Sequence, residues 1–135
     1  MVHIAFDKSG GLVPAIIQDE ESGDVLMLGF MNAESFELTC RTGEVVFFSR
    51  SRSKLWKKGE SSGHVLKVCE IRIDCDADSL LIRVHPVGPG VCHEGYRSCF
   101  FRSLNNEGTR VIAERTFSPG SVYASKNSLS PKEVK

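Results

Sequence analysis

Any fold this chain adopts has to accommodate Asp74-Cys75-Asp76-Ala77-Asp78 and, further on, Cys92-His93 and Cys99, which put three thiols and three carboxylates within about two dozen positions. Soft thiolates select zinc, whereas carboxylate oxygens select magnesium, calcium or manganese, so the interleaving suggests two different ions held close together. Strand periodicity gives Ile71, Ile73 and Cys75 one parity and Arg72, Asp74 and Asp76 the other, with the thiol inward and the carboxylates outward. If the strand stays extended through Asp78, all three carboxylates share a face and surround one hard cation. A turn beginning at Asp76 breaks that arrangement.

The surrounding pattern is mostly strand. Leu12 to Gln18 and Val25 to Met31 are apolar runs on either side of the polar cluster Asp19-Glu20-Glu21-Ser22-Gly23-Asp24, and they predict a strand pair. Asn32 caps a helix over Ala33 to Arg41 that places Phe36 and Cys40 on one face and stops at Gly43. Val45 to Ser49 favours a strand, Arg50 to Gly63 reads as a polar, basic loop, and Val65 to Asp74 with Leu80 to His85 makes a hairpin. Few helices and no βαβα alternation give an α+β class with a mainly antiparallel sheet. Residues 1–117 form one domain, and residues 118–135, rich in Ser, Pro and Lys, are expected to be a flexible tail.

At 135 residues the chain can bury a core without disulfide staples. Five cysteines, an odd number in a chain without an export signal, argue for reduced thiols. The N-terminus lacks a basic segment followed by an apolar one, and no run reaches the roughly 18 apolar residues of a spanning helix, so a cytoplasmic protein off the membrane is expected. The 17 Lys and Arg balance the 17 Asp and Glu, which leaves no overall field to attract nucleic acid.

Each candidate site has a plainer reading. Cys40 and Cys69 lack neighbours with metal chemistry and read as small buried hydrophobes. Cys92 and Cys99 lie among Gly88, Pro89, Gly90 and Gly95, an irregular backbone able to aim thiols at a common point. With Cys75 they make three ligands, the number a catalytic zinc keeps beside one open position. Asp74, Asp76 and Asp78 resemble the opening of an EF-hand, but Ser79 stands where that loop needs Gly and His85 where it needs Glu. The stretch from Arg50 to Lys58 carries five cations and Trp56, suited to phosphates and a base or simply to a solvated loop. Gly59-Glu60-Ser61-Ser62-Gly63 matches a nucleophile elbow by letters, without the apolar strand that should precede it.

In order along the chain, Ser49-Arg50-Ser51-Arg52, Leu55-Trp56-Lys57-Lys58-Gly59-Glu60-Ser61-Ser62-Gly63-His64, Asp74-Cys75-Asp76-Ala77-Asp78 and the Cys92-His93-Glu94-Gly95 to Cys99-Phe100 segment closely resemble the phosphoribosyl-AMP cyclohydrolases of histidine biosynthesis. The resemblance runs from about Gly11 to Arg102. It implies a β-grasp-like, intertwined homodimer that opens the adenine ring of phosphoribosyl-AMP at N1–C6 with a zinc-activated water. It assigns zinc to Cys75 of one subunit with Cys92 and Cys99 of the other, and magnesium to Asp74, Asp76 and Asp78. His93, then His64, are the candidates for proton handling, and Arg50, Arg52, Trp56, Lys57 and Lys58 for substrate contact. Competing readings are a zinc nucleobase deaminase, which would release ammonia, and a non-catalytic zinc-stapled interaction module, which would need a fourth protein ligand.

Overall fold

In the computed structural model, which describes residues 3–119, the first two apolar runs pair as their alternation predicts. Strand β1 (Val13–Asp19) lies antiparallel to β2 (Val25–Met31), with Val13 opposite Met31 and Ile17 opposite Met27. Along β1 every second residue is buried, so Val13, Ala15, Ile17 and Asp19 share the covered face. Helix α1 (Ala33–Thr42) begins in a reciprocal cap, in which Asn32 Oδ1 accepts from Ser35 N at 2.8 Å and Ser35 Oγ accepts from Asn32 N at 2.9 Å. Gly43 ends it in the left-handed conformation, φ +77°.

The helix buries a different face from the one expected. Ser35 and Thr39 are fully covered, Phe36 is half-buried against the ring of Phe6, and Cys40 is exposed, which corrects its reading as a buried hydrophobe. Strand β3 (Val46–Ser49) explains the shift, because Thr39 Oγ1 accepts from Val46 N at 3.0 Å and donates to Ser35 O at 2.8 Å. Small hydroxyl side chains let strand and helix backbones come close where larger ones would hold them apart.

Strand β4 (Lys54–Lys57) runs antiparallel to β3 inside the segment that reads as a loop. Lysines at both its ends mask the pattern. What makes it a strand is the cross-strand pair Phe47–Trp56, with ring centroids 5.1 Å apart. Strands β5 (Leu66–Ile73) and β6 (Leu80–Pro86) form the expected hairpin, and β6 also pairs with β1, in parallel. The result is a four-stranded sheet of order β2-β1-β6-β5 in a mainly antiparallel α+β molecule. Its core joins Val13, Ile17, Leu26, Met31, Leu80 and Ile82 from the sheet to Phe47 and Val91.

Cys69 is also exposed, contrary to expectation. It sits at a register shift between Val68 and Glu70, where one extra residue bulges out of the β5–β6 ladder and changes the parity of the strand. Beyond Phe101 a further hairpin, β7 (Arg102–Asn105) with β8 (Gly108–Val111), stands exposed at every residue, including Leu104 at 77%. No described helix is long and apolar enough to cross a membrane. Of the segment expected as a flexible tail, residues 120–135 lie outside the described residues.

Candidate active site

The segment after β6 folds into a tight loop around Cys92. Val91 N donates to Arg97 O at 3.2 Å, Cys92 N to Tyr96 O at 3.1 Å and Gly95 N to Cys92 O at 3.0 Å. Gly95 has φ +97°, and a Cβ there would lie 2.6 Å from Phe117 O, so this turn requires glycine on two counts. Three successive residues then fasten the loop to the β1–β2 hairpin. The Arg97 guanidinium reaches the carboxylate of Asp19, Asp24 Oδ2 at 2.5 Å and Ser22 Oγ at 2.8 Å. Ser98 Oγ donates to Val25 O at 2.8 Å, and Cys99 N to Leu26 O at 2.7 Å. Arg97 and Asp19 are therefore part of the site's scaffold, although nothing in the sequence singled them out; the only signal was an arginine lying between two cysteines.

Cys92 and Cys99 meet on a floor made by Tyr96 stacked on Phe101, with ring centroids 3.8 Å apart and planes 4° from parallel. A hydrogen bond from the Cys99 thiol brings the Cys92 pKa down from 9.0 to about 6, against the opposing effect of burial and with help from the N–H groups of Glu94 and Tyr96. A buried thiolate next to a second thiol is the donor set a soft cation needs, so this pair fits zinc.

Cys75 is elsewhere and exposed, not turned inward. The strand ends at Ile73 and a turn starts at Cys75, so strand parity no longer determines where its side chain points. The same turn gathers the carboxylates by another route than an extended strand. Asp74 Oδ1 accepts from Asp78 N at 3.0 Å and Ser79 N at 3.2 Å, Ala77 takes a positive φ of 61°, and oxygens of Asp74, Asp76 and Asp78 come within 4.8 Å of one another. Among the described residues this is the one group of three or more acidic, His or Cys side chains with metal-like spacing, and the three thiols do not form such a group within one chain. Oxygen-only donors suit a hard cation.

The five residues expected to touch substrate separate into distinct environments. Arg50 and Trp56 line an open groove of about 510 Å³ with Leu28, Phe30, Phe48 and Ser49, and the Arg50 guanidinium lies 4.0 Å above the Phe30 ring. Arg52 is exposed in the turn beside it, its N–H donating to Ser49 Oγ at 3.2 Å. Lys57 pairs with Glu44 at 2.5 Å. Lys58 is buried, its Nζ donating to Val91 O at 2.6 Å. Of the two histidines, His93 is half-buried beside Cys92. His64 places Nδ1 3.0 Å from Gly90 O and its ring edge-on to Phe117. A carbonyl only accepts, so Nδ1 is the donor in this contact and Nε2 is left free of it.

Residues 27–101 match the family model described as phosphoribosyl-AMP cyclohydrolase, which covers the Cys92 loop, the acidic turn and the groove. Curated relatives named phosphoribosyl-AMP cyclohydrolase include one from Solibacter usitatus, 56% identical over 93% of this chain and 100% of its own length. Another, from Desulfatibacillum aliphaticivorans, is 50% identical over 91% of this chain and 98% of its own length. A third, from Methanosarcina barkeri, is 54% identical over 90% of this chain and 91% of its own. With similarity running through nearly the whole length on both sides, this chain belongs to the phosphoribosyl-AMP cyclohydrolase family.

Proposed function

We propose that this chain hydrolyses phosphoribosyl-AMP at the N1–C6 bond of its adenine ring, a step of histidine biosynthesis, in a homodimer whose subunits share each active site. The paired Cys92 and Cys99 thiols carry this reading, since one buried and one half-buried soft donor meet with only two of the three expected ligands in one chain. Cys75 of a second copy would complete the set, and Asp74, Asp76 and Asp78 would hold magnesium. Zinc bound there would supply the Lewis acidity that makes water nucleophilic near neutral pH.

The chain's own residues do the rest. Water adds to C6, the N1–C6 bond breaks, the exocyclic nitrogen stays as a carboxamide, and N1 takes up a proton. Expelling N1 rather than ammonia requires that proton at N1, and His93, adjacent to Cys92 in the chain, is the candidate to deliver it, with His64 as the alternative. The groove beside Trp56 offers an aromatic wall and the Arg50 cation to a ribose phosphate. Incubating the purified protein with phosphoribosyl-AMP, zinc and magnesium should yield one product heavier by a single water, without free ammonia, as read by mass spectrometry and an ammonia assay. Stoichiometric ammonia would instead identify a deaminase, and no turnover with both metals bound would identify a non-catalytic module.

A further inference from the structure

Lys58 belongs by sequence to the basic run suited to phosphates, yet it is only 6% exposed. Its backbone N–H donates to Val45 O at 3.1 Å, and its stem runs inward past Trp56, leaving Nζ 5.8 Å from that ring's centroid. A buried ammonium persists only where hydrogen bonds replace its water, and here Val91 O accepts from it at 2.6 Å. Val91 immediately precedes Cys92. The peptide unit joining the two is therefore held at both ends, its C=O by Lys58 and its N–H by Tyr96 O. Two clamped ends fix the peptide plane and so restrain the backbone from which Cys92 projects its sulfur. His64 treats the preceding carbonyl, Gly90 O, in the same way.

We infer that Lys58 is a positioning residue for the Cys92 thiolate and not a phosphate ligand. The inference rests on the zinc reading for its consequence and on the clamp alone for its geometry. The test compares the full-length protein with Lys58→Met, which keeps the stem and removes the donor, and Lys58→Gln, which removes the charge and keeps a donor. Three quantities are read: amide hydrogen exchange of residues 91–97 in metal-free protein, zinc retention against a chelator, and KM against kcat at saturating zinc.

Lys58→Met should lose about tenfold or more of the exchange protection at residues 91–97, because it leaves a buried carbonyl unpaired, and should release zinc faster. Lys58→Gln should recover a substantial part of both, while KM in either variant stays within about twofold of the unmodified protein. If both variants raise KM alike and leave exchange and zinc retention unchanged, Lys58 is a substrate cation and the inference is overturned. Unfolding of Lys58→Met with a folded, protected Lys58→Gln supports the clamp; unfolding of both assigns Lys58 to general core stability and overturns it. If the unmodified protein binds no zinc while the exchange difference persists, the zinc reading fails and the clamp stands.

Discussion

Cys92 and Cys40 are the same residue type in opposite electrostatic surroundings. Cys40 has its thiol pKa raised by partial burial, while Cys92 has its own lowered to about 6 by the hydrogen bond from Cys99. A folded-state pKa depressed from 9.0 means that the thiolate's contribution to stability is complete above about pH 9 and is lost as pH falls through about 6. Ultraviolet titration of the metal-free protein should accordingly show one thiolate step near pH 6, absent in Cys92→Ser and retained in Cys40→Ser. If every thiol titrates in the ordinary range, the Cys92 site is not preorganised for a metal. Sequence could rank Cys92 and Cys99 above Cys40 and Cys69 because glycines and a proline surround the first pair. The exposure of the second pair was hidden, since a bulge in β5 and a helix face set by Ser35 and Thr39 depend on partners distant in sequence.

At the scale of elements, what local chemistry specifies was legible: the α1 cap, the Gly43 stop and the alternation of β1 all follow from neighbouring residues. Strand β4 was not, because its partner aromatic, Phe47, lies nine positions before Trp56 and its own ends are lysines. Packing of β3 on β2 imposes a further demand that sequence does not show. A Cβ at Gly29 would approach the Phe47 ring to 2.5 Å, so Gly29→Ala should destabilise the fold by about 1–3 kcal/mol in urea unfolding. An unchanged midpoint would mean that the ring moves freely. The tie between the Cys92 loop and the β1–β2 hairpin has a pH signature. Burial opposes ionisation of Asp19, but the N–H groups of Glu21 and Ser22 and the Arg97 guanidinium outweigh it and hold the carboxyl below its ordinary 3.8. Its stabilisation is present above the unfolded value and disappears as pH falls through the lower folded one. Asp19→Asn should therefore be less stable than the unmodified protein at pH 7, with the difference closing below about pH 4. A gap that persists in acid would assign the effect to shape and not to charge.

The whole molecule raises a question that one chain leaves open. The parallel contact of β1 with β6, which unites the two hairpins into one sheet, had no local signal, since pairing between distant strands is decided by the collective burial of their apolar faces. The acidic turn and the Cys92 loop are each complete, yet the three thiols do not converge within one chain among the described residues. Hairpin β7–β8 and its flanks meanwhile expose Phe100, Leu104, Val111 and Ile112, apolar area of the kind subunit contacts cover. If each site takes Cys75 from one subunit and Cys92 with Cys99 from the other, Cys75→Ser and Cys92→Ser should each be inactive and poor in zinc when pure. Refolding them together in equal amounts should restore about a quarter of the unmodified activity, because half the dimers are mixed and each mixed dimer holds one intact site of two. Zinc content should rise in the same proportion. A site built within a single chain predicts no recovery, since every chain in the mixture lacks one ligand, so a mixture as inactive as its parents would refute the shared site.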